Sequence, residues 1–173
     1  MSVTLTQLKA HLRITDTNED VALQMYLDAA LDVVEVETGR KMSQVSGRKA
    51  YFDTFGDLEL IGDDVTVSTV EYVDSDGATQ TLSSSVYELK EHKARSYLTL
   101  AYDESWPDIR DEDAAITVTY QSGYTSSTIP SSLKSAVLLQ AGSFYEIRED
   151  ETIVKTNMRG AVMRLTSRYR IYK

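Results

Sequence analysis

Few residues in this 173-residue sequence combine the type and the spacing that chemistry requires. Asp16-x-Asn18-x-Asp20 imitates the opening of a calcium-binding EF-hand loop. Such a loop needs glycine at its sixth position for a sharp turn and a bidentate glutamate at its twelfth; here those positions hold Val21 and Leu27. The segment reads better as the cap and first turn of a helix. The histidines, His11 and His92, have no partner at a metal-ligand spacing such as HExxH. With no cysteine, thiolate zinc sites, disulfide scaffolds and cysteine nucleophiles are excluded together. No GxSxG marks a serine nucleophile, and no Walker loop or GxGxxG marks a phosphate cradle.

Carboxylates are the one plentiful reactive group. Asp103-Glu104 and the run from Asp108 to Asp113 flank Trp106, an arrangement that superficially resembles a glycosidase cleft with an aromatic platform. Paired catalytic acids need a defined separation and one raised pKa, and neither is written in a sequence. Solvated acidic loops are the ordinary reading, and a carbohydrate-active domain around Trp106 is kept as the alternative from the enzyme class. No catalytic, cofactor-binding or metal-ligating residue is assigned.

Charge is unevenly spread. From Thr152 onward there are six cations (Lys155, Arg159, Arg164, Arg168, Arg170, Lys173) and no carboxylate, so the net charge of −9 divides into −15 before that point and +6 after it. An acidic body repels nucleic acid, while a basic tail attracts phosphate or an acidic protein surface. Alternatively, those cations are a solvated helix end that suits a negative C-terminal dipole. Aromatics do not interleave with them as they would in a single-strand groove, so specific DNA binding is not expected. The start, MSVTLTQLKAHL, lacks the basic and apolar regions of a secretory signal. No window approaches the roughly 18 consecutive apolar residues of a membrane span. The expected protein is soluble and made in the cytoplasm.

Helices are predicted at both ends of the sequence and strands between them. Thr4 or Thr6 can cap a first helix through about Leu12, and Asp16–Asp20 opens a second that stops at Gly39. On that second helix Ala22, Met25, Tyr26, Ala29, Val33 and Val36 form one stripe, and Leu23, Leu27, Ala30 and Val34 form another beside it. Together they are wider than the ~100° stripe a helix on one core needs, so the helix is either deeply buried or shared between its own core and a neighbour. From about Lys49 to Gln121 the periodicity falls to two, as in Ile116, Val118 and Tyr120. Val65–Val73, Asp74-Ser75-Asp76-Gly77 and Ala78–Leu82 read as a hairpin whose Asp-Gly supplies positive φ angles. Short strands follow at Val86–Leu89 and Tyr97–Ala101, and an antiparallel meander is the simplest arrangement.

A third helix starts at Ile129-Pro130-Ser131-Ser132, with a serine as cap. It runs through the nearly all-apolar Ala136–Gly142 to the charged Arg148–Glu151. A loop through Gly160 then leads to a last helix with Val162, Leu165, Tyr169 and Tyr172 on one face and Arg164 and Arg168 on another. The expected class is α+β: one domain, 1–173, with a helical core from 1–45 and 122–173 interrupted by a β insertion, 46–121. Eleven tyrosines suit a chain built for contact, because tyrosine offers large, stiff area with a polar end.

Four passages resemble the head–tail connector, or adaptor, proteins of long-tailed phages and prophages. VTLTQLKAHLRITDTNEDVALQMYLDAALDVVEVETGR resembles the family's opening: an LKxHLRI segment, an acidic break, then a long helix ending in TGR. The hairpin VEYVDSDGATQTLSSSVYEL is similar to its recurrent middle element. Ser105-Trp106-Pro107 followed by AITVTYQSGY resembles the run before its last helices, and IPSSLKSAVLLQAGSFYEIRE is similar to its next helix. The order and spacing of these passages, from residue 3 to about 150, carry the resemblance; after Asp150 no distinctive match remains.

The resemblance implies a structural subunit without catalysis or cofactor. It implies a homo-oligomeric ring, commonly of twelve copies, in the virion neck beneath the portal protein, after assembly in the host cytoplasm. On its other side the ring would receive the next neck (stopper) or tail protein, and DNA would pass through its channel without specific binding or any membrane. A neck or tail-completion protein one layer lower is the nearest alternative. The candidates for the subunit interface are Ala22, Tyr26, Ala29, Val33, Leu23, Leu27 and Val34. The candidates for docking on the portal are Lys155, Arg159, Arg164, Arg168, Tyr169, Arg170 and Tyr172. The basic segment could instead complement an acidic patch on the next copy, since a ring of identical subunits joins two unlike patches.

Overall fold

The computed structural model describes residues 2–92, 94–147 and 155–171, the first five residues of the last stretch by backbone alone. They form helices and antiparallel sheets, an α+β protein, in two compact units: residues 1–43 with 124–173, and residues 44–123.

The helical unit begins with α1 (Leu5–Leu12), and of the two threonines that could cap it, Thr4 does so. Its Oγ1 accepts from the Gln7 N–H at 3.3 Å while the Thr4 N–H donates to Gln7 Oε1 at 3.1 Å. This reciprocal pair satisfies two donors that a helix start otherwise leaves unpaired. Helix α2 (Asp20–Thr38) stops at Gly39, whose φ is +71° and whose N–H donates to the Glu35 carbonyl at 2.8 Å. The acidic segment opens the helix, with Glu19 at the N-cap position and Asp20 in the first turn, but without a side-chain capping bond: Asp16 accepts from the Asn18 N–H at 3.0 Å, closing a turn, and Asp20 pairs with Lys9 at 2.6 Å. Helix α3 (Ser131–Glu146) has Pro130, not a serine, at its N-cap position. Proline's fixed φ suits the approach to a helix and leaves both serines inside the first turn.

Helix α4 (Lys155–Thr166) runs into a single 3-10 turn at Ser167–Tyr169. Gly160 therefore lies inside a helix, where the sequence suggested a loop. One glycine costs a helix only about 1 kcal/mol, less than packing returns when Val162 is buried and Leu165 packs beside it. The charged stretch Arg148–Glu151 lies outside the described residues. The core of this unit joins Leu8, Leu23, Leu27, Ala30, Val34, Leu133, Ala136, Val137 and Ala141.

The β unit holds β1 (Val45–Phe52), β2 (Leu58–Ile61), β3 (Thr66–Val73), β4 (Thr79–Thr81), β5 (Tyr87–His92), β6 (Arg95–Leu100) and β7 (Ile116–Ser122). Every pairing is antiparallel, but the order is not a meander: one sheet runs β1-β7-β3-β4 and the other β2-β6-β5. The last strand enters between β1 and β3 because its alternating Ile116, Val118 and Tyr120 all reach the core, and a central place pairs both of its edges. The core joins these with Leu58, Leu60, Val70 and Leu98. The turn after β3 also differs in detail. Of Asp74–Gly77 only Gly77 has positive φ, +86°, because Asp74 closes the turn itself. Its carboxylate accepts from the N–H groups of Asp76 and Ala78, at 3.1 and 2.8 Å, and from Gln80 Nε2 at 2.9 Å. Those bonds hold the Asp74 carboxyl below its ordinary pKa, the Gln80 bond contributing most.

Candidate functional site

The residues singled out for chemistry do not converge. His11 and His92 are both exposed, and among the described residues no group of three or more His, Asp or Glu side chains is placed to hold a metal ion. Trp106 is stacked on Phe55, rings parallel to within 4° and centroids 4.6 Å apart, as part of the β unit's packing. One face of the supposed platform is thus covered by protein. No described helix is long and apolar enough to cross a membrane.

What the fold does present is a helix with two apolar faces. Successive residues on a helix advance so that positions three and four apart share a face. On α2 the row Leu23, Leu27, Ala30, Leu31 and Val34 is buried in the unit's own core. Three interface candidates, Leu23, Leu27 and Val34, therefore support the helix from beneath and do not reach the surface. The opposite face carries Val21 (79% exposed), Met25 (68%), Val33 (40%) and Val36 (86%), with Ala29 also exposed. Ala22 and Tyr26 lie half-buried at its margin, where Tyr26 meets Tyr145 edge-on at 6.5 Å. Val21, Met25 and Val36 belong to this face although they were not among the interface candidates. Met25 and Val36 share one stripe of the wheel with Ala29 and Val33, and no sequence feature says which stripe faces water. Two carboxylates, Asp28 and Asp32, are exposed in the same row. Toward the C-terminal end of α2, a shallow depression is lined by Asp32, Glu35, Val36, Gly39, Arg40 and Lys41.

The basic C-terminal segment is divided by its packing. Tyr169 rests on the helical core, its hydroxyl accepting from Ser132 Oγ at 3.1 Å and its carbonyl accepting from Arg40 Nε. Arg170 pairs with Glu37, and the Ile171 N–H donates to the Thr38 carbonyl at 2.9 Å. These bonds tie the chain after α4 to the end of α2. Arg164 and Arg168 remain exposed, beside the 45% exposed Met163. The guanidinium of Arg168 lies 5.4 Å from the centre of the Tyr169 ring. The side chains of Lys155 and Arg159, and all of Tyr172, lie outside the described residues.

The family model described as phage gp6-like head-tail connector protein matches residues 2–108. No curated protein matches the sequence. Among solved structures, a chain in the neck of an empty GTA particle, computed with C6 symmetry, is 25% identical. The match covers 99% of this chain and 91% of that one, at a TM-score of 0.67. A chain in the virion of a native gene transfer agent particle is 24% identical, over 99% of this chain and 91% of that one, at 0.69. A third, in the neck of a native GTA particle computed with C12 symmetry, is 22% identical, over 99% and 90%, at 0.67.

Proposed function

We infer the function from one premise: the chain belongs to the phage gp6-like head-tail connector protein family, whose model spans more than half of it. It is a connector subunit, a structural part of the neck of a phage-like particle. In our reading it works as a ring, twelve copies in the virion, seated under the portal protein and receiving the next neck or tail protein on its other side. No catalytic step belongs to this function. The observation that carries the reading is the double-faced α2. Its inner row holds the helical unit together, and its outer row, with Ala29 and Val33 at the centre and Ala22 and Tyr26 at the edge, is left for another protein. Contiguous apolar surface of this kind marks a contact site. The helical framework at the two ends of the chain, interrupted by the β unit, is the part we assign to assembly. The excess of carboxylates before residue 152 suits a channel wall, because cations there would grip DNA phosphates in a salt-sensitive way. The basic segment from Lys155 to Tyr172 is the part assigned to an acidic protein surface of the particle, the portal or a neighbouring copy.

Negative-stain imaging and native mass spectrometry of the purified protein, alone and with portal particles, test this. Rings, or a stable joint complex with portal, are expected. A chain that stays monomeric and ignores portal particles would overturn the reading. Binding to tail-tube protein in place of portal would move it one layer lower in the particle.

A further inference from the structure

Helix α2 carries five carboxylates and no cation. Three are answered within the subunit: Asp20 by Lys9 and Glu35 by Lys41, each at 2.6 Å, and Glu37 by Arg170. The other two, Asp28 and Asp32, pair with no cation among the described residues, and both stand in the outer row with Val21, Met25 and Val36. Among the described residues Asp28 accepts only from Gln24 Nε2, at 2.8 Å. The mirror situation holds at the other end of the chain. The segment from Lys155 to Ile171 has no carboxylate, Arg170 is engaged by Glu37, and Arg164 and Arg168 have no carboxylate partner among the described residues. The same subunit thus offers two unlike patches, one apolar with two unanswered acids and one with an exposed methionine and two unanswered arginines.

We propose that the outer face of α2 on one subunit receives the Met163, Arg164 and Arg168 face of a second copy. This rests on the ring reading above and decides what fills the outer row: a head-to-tail contact joins two different patches of one chain, which is what a cyclic ring requires. Asp28 and Asp32 are one α-helical turn apart, ~6 Å along the axis, and Arg164 and Arg168 are also four residues apart in sequence, the first on α4 and the second in the 3-10 turn that follows it. Exposed ion pairs on their own stabilise little. Here Met25, Val36 and Met163 supply the apolar area, and the charges fix register and reject a head-to-head approach, in which acids would face acids. Arg164 and Arg168 therefore turn to the neighbouring copy and not to the portal.

The test is a charge exchange in the full-length chain, read by native mass spectrometry and negative stain with portal present as template. D28R/D32R and R164D/R168D should each keep the wild-type circular dichroism melt, because all four side chains are exposed. Each alone should lose rings by at least about tenfold, since like charges are then opposed. An equal mixture of the two should recover rings in which the chains alternate, with an even number of subunits. Rings from either variant alone at wild-type yield would overturn the proposal, as would two folded variants whose mixture stays unassembled. Rings that persist in R164D/R168D while portal binding is lost would also overturn it, with the portal as the occupant. Failure of the wild-type chain to form rings on portal would instead remove the ring reading on which the proposal rests.

Discussion

The helical unit and the β unit arrange their exposed apolar residues in opposite ways. On α2, Val21, Met25, Val33 and Val36 lie along one side of a single helix. In the β unit the large exposed apolar residues, Val45, Tyr51, Ile61, Leu100 and Tyr102, are spread over β1, β2, β6 and the loop that follows it. Single exposed apolar side chains are ordinary on any protein surface, whereas several gathered on one face are the pattern of an interaction site. The difference follows from geometry. A helix whose apolar residues cover more than the ~100° that one core needs must present the surplus as a stripe. A strand shows only alternate residues to each side, and both sheets here turn their apolar side into one shared core. The proposed assembly surface therefore lies on the helical unit, where exposed apolar residues gather on one face.

The sharpest way to break that contrast is to truncate each core and the outer row in turn. Leu27→Ala, under α2, and Leu98→Ala, in the β core, remove fully buried side chains, and each should lower the unfolding free energy by about 2–5 kcal/mol. Val36→Ala should change it by less than about 0.5 kcal/mol, as an exposed position does. Urea titrations check all three. A Val36→Ala cost as large as that of Leu27→Ala would mean that the two faces of α2 are not distinct.

A smaller effect probes how tightly the β unit is closed. Gly62 has φ of +146°, and a Cβ there would stand 2.5 Å from Ser122 Cβ and 2.6 Å from its Oγ. That oxygen also accepts from Arg48 Nη1, which donates to the Ile61 carbonyl at 2.8 Å as well. Gly62→Ala should cost about 1–3 kcal/mol and weaken the β unit's transition, seen by thermal melting. An unchanged melt would show this end of the sheet to be as loose as the surface.

The smallest effect is at the hairpin turn. Asp74 titrates below its ordinary value of 3.8 because the ionised carboxylate is hydrogen-bonded in the fold. A group whose folded pKa is depressed contributes stability above the unfolded pKa and loses it as pH falls through the folded one. The melting temperature should therefore decline slightly as pH drops below 3.8, with a flatter profile in Asp74→Asn. An identical acid limb in the variant would remove Asp74 as a contributor.

Local chemistry was legible where neighbours in sequence are neighbours in space. A threonine cap at Thr4 or Thr6, Gly39 after α2, and the alternation of Ile116, Val118 and Tyr120 can each be read within a few residues, and the structure uses Thr4, Gly39 and that alternation. Gly160 and Pro130 could not, because a helix fixed by packing tolerates a weak helix former and takes its cap from the geometry of the incoming chain. The place of β7 between β1 and β3 was equally hidden, since strand pairing across the chain leaves no local mark.

The candidate contact surface shows the same division. The sequence by itself determined that α2 has two apolar stripes and that positive charge gathers after residue 152, because periodicity and composition are properties of the linear chain. Only the tertiary structure decided that Leu23, Leu27 and Val34 face inward while Val33 and Val36 face out. Only it decided that Arg170 is taken by Glu37 while Arg164 and Arg168 are not. Two stripes on a helix are equivalent until α3 and α4 cover one of them. A charge likewise acquires a role only when the fold either brings its opposite within reach or leaves it without one.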